Sequence, residues 1–138
     1  MLEARNIELI KTAYSAFAQG DVQVLLNAVS DDLDFHPLIP QAIWQFAGPR
    51  RGKTRFVEFL EGFAEVVLIE RFEPLEFIAQ GASVVVLLSE RARIKATGII
   101  VDQTYIHIFK IANNQIVRLD IFGDSAPVRT ALEAVKSQ

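Results

Sequence analysis

The sequence predicts an α+β fold in which three N-terminal helices pack against one face of a curved antiparallel sheet. Two observations carry this prediction. Apolar residues recur at helical spacing up to Val67, and from Ile69 onward the chain is rich in β-branched and aromatic residues interrupted by turns. Long strands in a chain of 138 residues must twist and coil, and helices that precede them can cover only one face. This length suits one core, so we predict a single domain, residues 1–138.

The helices are predicted from apolar spacing and from capping residues. The first helix ends at Gly20, a natural C-terminal stop, and Asp21 caps a second, shorter helix that closes at residues 30–32. A third helix begins near Lys53. The apolar faces of the first and third helices comprise Ile7, Ile10, Tyr14 and Phe17, and Phe56, Phe59, Leu60, Phe63, Val66 and Val67.

The segment between the second and third helices is predicted to be irregular. A short strand, residues 33–36, is followed by residues 37–52, which hold three prolines and two glycines. This segment also contains large apolar residues, namely Leu38, Ile39, Ile43, Trp44 and Phe46. Exposed, they would form an unusually large apolar patch, so we predict that they fold inward as a cover over a hollow.

Four strands and a final helix complete the predicted fold. The strands cover residues 70–79, 83–97, 99–112 and 115–122, and short turns at 80–81, 97–98 and 113–114 separate them. Such turns join neighbouring antiparallel strands, so the four strands form a meander. Asp124 is predicted to cap a C-terminal helix from Pro127 to Val135.

The composition excludes several classes of function. The net charge of −3 offers no basic field for nucleic acid, and the absence of cysteine excludes a disulfide, a thiolate nucleophile and a thiolate metal site. The two histidines lack the close spacing of a metal site, so we predict neither metal nor cofactor. The charged first twenty residues do not resemble a signal peptide, and no apolar run reaches membrane-spanning length. A cytoplasmic protein without nucleic-acid or membrane partners is expected.

Asp120 has an unusual position for a carboxylate, because it lies in a strongly apolar stretch from Gln115 to Phe122. If its face of the strand meets water, Asp120 is an ordinary solvated residue. If both faces are covered, it lies in an apolar hollow and is a candidate acid or base. Strand alternation divides the stretch into two sets, Arg118, Asp120 and Phe122 on one face and Val117, Leu119 and Ile121 on the other.

The order of these elements resembles the nuclear-transport-factor-like cone fold, which is also called cystatin-like, and within it the SnoaL-like polyketide cyclases. This resemblance covers nearly the whole chain and implies a cone-shaped sheet around one deep apolar pocket. Such proteins include isomerases, cyclases, dehydratases, epoxide hydrolases and members without catalysis. The motifs that carry the resemblance are Ala16–Asp21, Asp31-Asp32, His36-Pro37, Gly48–Gly52, His107–Phe109 and Phe122–Ala126.

The resemblance also suggests individual roles. In members similar to limonene epoxide hydrolase, an Asp–Arg–Asp group activates water; Asp120 and Arg91 match its first two positions, and Arg93 stands at the third. In members similar to ketosteroid isomerase, the general base lies close to the position of His36, and the oxyanion donor matches Ile106. We therefore predict Asp120 as acid or base, Arg91 as its orienting partner and His36 as a second proton-transfer group. Each also has an ordinary structural interpretation, as a solvated strand residue for Asp120 and Arg91 and as a hydrogen-bonding group at a strand end for His36.

The resemblance implies that the face of Asp120 looks into the pocket and that the opposite face looks outward. By the same parity His107, Tyr105 and Phe109 are predicted to lie outside the pocket, in a homodimer interface formed by the outer face of the sheet. The predicted substrate-binding lining comprises Tyr14, Phe17, Trp44, Phe46, Phe63, Ile106 and Phe122.

Three classes of function remain. We predict an enzyme that performs acid–base chemistry on a small hydrophobic molecule, of the isomerase, cyclase, dehydratase or epoxide-hydrolase type. A non-catalytic protein that binds such a molecule in the same pocket is the alternative, and an interaction module with a vestigial pocket is the third. The sequence identifies neither the substrate nor the reaction.

Overall fold

The structure, a computed structural model, describes residues 1–45 and 47–136. Phe46, which was predicted to line the pocket, lies outside the described residues. The helices are α1 (Leu2–Gln19), α2 (Val22–Asn27), α3 (Lys53–Val66) and α4 (Ser125–Lys136). The strands are β1 (Val29–His36), β2 (Arg50–Arg51), β3 (Val67–Gln80), β4 (Ser83–Ile94), β5 (Ile100–Ala112) and β6 (Gln115–Phe122).

One curved, unclosed sheet of six strands holds the fold together, in the order β2-β1-β6-β5-β4-β3. Strands β3 to β6 form the predicted antiparallel meander, and the α+β class is confirmed. Strand β1 joins this meander in parallel to β6, with Phe35 opposite Leu119 and His36 opposite Asp120. This pairing brings two distant parts of the chain together. Among the described helices, none is long and apolar enough to cross a membrane.

Local signals in the sequence set most element ends. Gly20 takes the left-handed conformation (φ 72°) that ends α1, and the Asp21 side chain accepts a hydrogen bond from the Val24 N–H. Asn113 and Asn114 both have positive φ (52° and 58°), as a tight two-residue hairpin requires. The predicted turns therefore form where these residues stand.

Several predicted boundaries were wrong, including those of the first two predicted strands: β1 begins at Val29 rather than at residue 33, and β3 begins at Val67 rather than at residue 70. Helix α2 ends at Asn27 rather than at residues 30–32, because β1 begins at Val29 and the Ala28 carbonyl accepts from the Ile116 N–H. The β4–β5 turn spans residues 95–99, so both strands are shorter than predicted. Helix α4 begins at Ser125, since the Asp124 side chain accepts from the Ala126 N–H.

The core lies between the helices and the concave face of the sheet. Ile10 of α1, Phe35 of β1 and Val84 of β4 are completely or almost completely buried in it. A second group of buried residues continues this core beneath α4, and it includes Ala131 and Leu132. The helices therefore cover one face of the sheet, as predicted.

The assignment of the two faces of β5 and β6 was wrong. Leu119 is buried on the concave face, whereas Phe122 is 50% exposed on the convex face, the side of β6 that also carries Asp120. On β5, His107 is buried and Ile106 is 38% exposed. Alternation states which residues share a face, and burial of the more apolar set then decides which face meets the helices.

Candidate functional site

A cavity of about 180 Å³ lies between the helices and the concave face. This volume is close to that of protein cavities that hold one benzene molecule. Leu38, Ile39 and Trp44 of the irregular segment line it, so the prediction that this segment folds inward as a cover is confirmed for them. Helix α4 closes another part of the wall, through Val128, Ala131 and Leu132.

The wall of this cavity is almost entirely apolar and rich in aromatic rings. Tyr14 packs edge-on to Phe72, with ring centroids 5.4 Å apart, and Phe59 stacks with Phe63 at 5.9 Å. Few side chains of the described wall carry a polar group, and these are Tyr14, Trp44, Glu90, Tyr105 and His107. Such a wall suits an apolar ligand that is oriented by a small number of polar contacts.

Glu90 is the acidic residue of the cavity wall. It lies in β4 between Phe72 of β3 and Gln103 of β5, and its carboxyl group forms no hydrogen bond or ion pair with any residue that the structure describes. Burial without a cationic partner disfavours the ionised form and raises the pKa of Glu90 from 4.5 to about 7. This carboxyl group can therefore both release and accept a proton near neutral pH.

Tyr14 and His107 form a hydrogen-bonded pair, in which the Oη of the partly buried tyrosine lies 2.8 Å from Nδ1 of the buried imidazole. Burial lowers the pKa of His107 to about 4, so its ring is neutral at pH 7. Burial, with a smaller effect of the Glu90 charge, raises the pKa of Tyr14 above its usual value. When both residues are neutral, the phenol and the imidazole each carry one such proton. One of the two forms the hydrogen bond between them, so one N–H or O–H stays free.

The comparisons with known proteins agree with this architecture. A profile of the SnoaL-like domain matches residues 10–119, which is most of the chain. The chain belongs to the SnoaL-like domain family. No protein with a curated description matches its sequence.

Solved structures similar to this SnoaL-like domain share its fold at low sequence identity. An NTF2-like protein of unknown function from Burkholderia pseudomallei is 21% identical, with a TM-score of 0.84 over 93% of this chain and 97% of that one. TerC, co-crystallised with polyporic acid, is 23% identical, with a TM-score of 0.83 over 94% and 98%. A candidate polyketide cyclase from Xanthomonas campestris is 15% identical, with a TM-score of 0.76 over 96% and 99%.

Of the residues predicted to bind substrate, four line the cavity of this SnoaL-like domain: Tyr14, Phe17, Trp44 and Phe63. Ile106 and Phe122 do not, because they are neighbours on the convex face of β5 and β6. His107, Tyr105 and Phe109 were predicted to lie outside and instead form part of the wall. These differences all follow from the reversed faces of β5 and β6.

Asp120, the predicted acid or base, lies on the convex face and outside the cavity. Its carboxylate accepts two hydrogen bonds from Arg118, at 2.8 Å from Nε and 3.2 Å from Nη2. His36 is its neighbour across the β1–β6 pair, and Nε2 of His36 lies 2.7 Å from Asp34 Oδ1. The structure thus brings Asp120 and His36 close together, but in a charged surface cluster rather than in the predicted pocket.

Arg91, the predicted partner of Asp120, belongs to a different charged cluster on the convex face. Its Nε donates to Glu70 at 3.0 Å, and its Nη1 donates to Asp102 at 3.4 Å. Arg93 also donates to Glu70, at 2.9 Å. The predicted Asp120–Arg91 pair does not form, because alternate residues of β4 place Arg91 on the face opposite the cavity.

Sequence reasoning missed Glu90, although the sequence of β4 contains a signal for it. Residues 84, 86, 88, 92 and 94 are Val, Val, Leu, Ala and Ile, and all share one face of the strand with Glu90. The other face carries Ser89, Arg91 and Arg93 and is the more polar of the two. A single carboxylate within an apolar face is a stronger sign of a functional residue than Asp120, whose face also carries Arg118.

Proposed function

We propose that this SnoaL-like protein is an enzyme that moves a proton to or from a small, largely apolar molecule bound in the cavity, with Glu90 as the acid–base group. The observation that carries the proposal is a lone carboxyl group in an apolar wall, with a pKa of about 7. At that pKa both protonation states are populated at neutral pH, as general acid–base catalysis requires. Isomerisation, cyclisation, dehydration and epoxide opening all need such a proton transfer.

The Tyr14–His107 pair is the proposed stabiliser of charge that develops on the substrate. Proton removal from carbon next to a carbonyl group moves negative charge onto the carbonyl oxygen. The free N–H or O–H of the pair is a hydrogen-bond donor inside a water-poor cavity, where such donors are most effective. Because His107 is neutral at pH 7, this stabilisation comes from a hydrogen bond rather than from a full positive charge.

The comparisons support the SnoaL-like fold, and the description of one neighbour is compatible with the proposed class of reaction. One structural neighbour is described as a candidate polyketide cyclase and another was co-crystallised with polyporic acid, both at identities below 25%. The cavity volume of about 180 Å³ favours a substrate of one ring, or a larger one that displaces the covering residues.

A non-catalytic binding protein is the second candidate function. It is favoured by the absence of any hydrogen-bond partner that would orient the Glu90 carboxyl group among the described residues. In that function the cavity would select a ligand by shape and polarity, and the ionisation of Glu90 would affect affinity alone.

Substitution of Glu90 by Gln distinguishes the two functions. Glu90→Gln retains the size of the side chain and removes its acid–base capacity, so turnover should fall by roughly 10²–10⁴-fold while ligand binding is largely retained. Conversion of epoxides, enones and polyketide-like cyclisation substrates is the measurement. Glu76→Gln, at an exposed position of β3, is the matched control and should leave turnover unchanged.

For a base, kcat/KM should rise with pH and level off above about 7; for an acid it should fall above about 7. The enzyme proposal is contradicted if the native protein converts none of these substrates while calorimetry detects a ligand whose affinity changes in Glu90→Gln, as the binding function predicts.

A further inference from the structure

Tyr105 is a second phenol in the cavity wall, and Gln103 fixes the direction of its hydrogen bonds. The side-chain Nε2 of Gln103 donates to Tyr105 Oη at 2.9 Å and to the backbone carbonyl of Asp124 at 3.0 Å. A carbonyl oxygen can only accept, so the atom that faces both partners must be the amide nitrogen. The Tyr105 oxygen is therefore a hydrogen-bond acceptor in this contact.

The hydroxyl proton of Tyr105 is consequently available. A phenol has one proton, and no described residue accepts it from Tyr105. Burial raises the pKa of Tyr105 to about 12, and the Glu90 charge acts in the same direction, so the group stays protonated at neutral pH. In contrast, the Tyr14–His107 pair has one free proton that belongs to either member according to the tautomer.

The position of the Tyr105 ring is fixed as well. A Cβ atom at Gly123 would lie 2.7 Å from Cδ1 of this ring, a distance at which something must shift. Gly123 and Asp124 connect β6 to α4, which forms part of the cavity wall. Gly123 thus packs closely against the Tyr105 ring, and Gln103 donates a hydrogen bond to its hydroxyl group.

We propose that Tyr105 is a specificity-determining residue that donates a hydrogen bond to an acceptor oxygen of the ligand, and that Gln103 is its positioning residue. The ligand class is a small, ring-sized apolar molecule that bears a carbonyl group. This inference rests on the proposed function only in taking the cavity as the substrate site. Its test measures binding rather than turnover, so the two proposals can fail separately.

Acetophenone and ethylbenzene are the probes, since they have nearly the same shape and only the first has a carbonyl group. Tyr105→Phe removes the donor and retains the ring. It should weaken acetophenone binding, measured by calorimetry, by about tenfold and change ethylbenzene binding by less than about twofold. Glu76→Gln, at an exposed position of β3 outside the cavity wall, should leave the preference for acetophenone in place.

Gln103→Glu tests the positioning role. A carboxylate at this position accepts the Tyr105 proton instead of donating, so the hydroxyl no longer offers its proton to a ligand. This variant should lose the same preference for acetophenone as Tyr105→Phe, and the double variant should lose no more than either. Gln103→Leu removes the donor without accepting the proton, so the hydroxyl is no longer oriented but can still donate; it should lose part of the preference, and less of it than Gln103→Glu.

Four outcomes would overturn the inference. In the first two, Tyr105→Phe binds acetophenone and ethylbenzene as the native protein does, or loses affinity equally for the two probes. In the third, the losses of Tyr105→Phe and Gln103→Glu add up in the double variant. In the fourth, the native protein does not bind acetophenone. If Gln103 only holds α4 in place, its substitution by Glu or Leu will weaken both probes equally. Loss of turnover in Glu90→Gln together with any of these outcomes would leave the proposed function standing alone.

Discussion

Burial shifts the pKa values of Glu90 and His107, two residues of the cavity wall, in opposite directions. The charged form of Glu90 is the deprotonated one, so desolvation raises its pKa to about 7, whereas the charged form of His107 is the protonated one and its pKa falls to about 4. Between these values both groups are neutral and the cavity carries no charge. Above about pH 7 the carboxylate introduces one negative charge into an apolar wall.

The pH dependence of stability tests the shift at Glu90. The folded chain holds this proton more tightly than the unfolded chain, in which the carboxyl group titrates near 4.5. The corresponding stability is present below pH 4.5 and is lost as pH rises through about 7. Glu90→Gln has no carboxyl group to ionise and so avoids this loss. Relative to the native protein, the free energy of unfolding of the variant should therefore be higher at pH 8 than at pH 4, by roughly 2–3 kcal/mol.

Urea denaturation at both pH values measures this difference. Glu76→Gln is again the control, because an exposed carboxylate should give a difference near zero. Equal effects of Glu90→Gln at pH 4 and pH 8 would show that Glu90 titrates normally and would remove the main support for its acid–base role.

At the scale of elements, Arg50 connects the cover of the cavity to α3. Its side chain is only 8% exposed, and Nη2 donates to the Gln45 carbonyl at 3.0 Å. Nη1 donates to Glu58 of α3 at 3.2 Å and to the Arg55 carbonyl at 3.4 Å. Backbone hydrogen bonds such as Gly48 N–H to the Ile39 carbonyl shape this segment locally, and the guanidinium group adds polar contacts that join it to α3.

Removal of this contact should loosen the cover. Arg50→Met retains the aliphatic length and leaves carbonyl groups and Glu58 without their donor, so we expect a loss of about 2–4 kcal/mol in the free energy of unfolding. Arg51→Met is the matched control, because the neighbouring side chain is 71% exposed and should cost less than about 0.5 kcal/mol. Similar losses in both variants would mean that Arg50 is not a specific anchor.

At the scale of the whole molecule, the convex face of the sheet combines exposed apolar and charged residues. Ile106 and Phe122 are register partners there and are 38% and 50% exposed. Ile100 adds a third apolar side chain at 37%. Leu119 and Tyr105, which were among the residues that predicted a dimer, line the cavity instead. The prediction of a dimer therefore rests on the three exposed residues of the convex face.

We propose that this convex face pairs two copies of the chain, since adjacent exposed apolar residues such as Ile106 and Phe122 commonly mark such interfaces. Sedimentation should show a dimer at micromolar concentration. Ile106→Lys should weaken the dimer at least tenfold, because it adds a charge to the face, whereas Val24→Lys on α2 should not. A native protein that sediments as a monomer at all concentrations would contradict the proposal.

Local interactions along the chain account for most of the helices, strands and turns. Helical spacing, the Gly20 and Asp21 caps and the Asn113–Asn114 turn act within a few residues, so element types and the meander followed from them. The inward fold of Leu38, Ile39 and Trp44 also followed, because large apolar side chains must be covered by something. In the same way, alternation fixed which residues of each strand share a face.

Which of those faces meets the helices depends on pairing between strands that are distant in sequence. Strand β6 buries its more apolar side, and pairing with β1, some eighty residues away in sequence, holds that side toward the helices. That long-range pairing placed Leu119 inward and Asp120 outward, and across the sheet it placed His107, Tyr105 and Glu90 together around one cavity. Burial of the cavity wall, which no single strand specifies, then gave Glu90 its raised pKa.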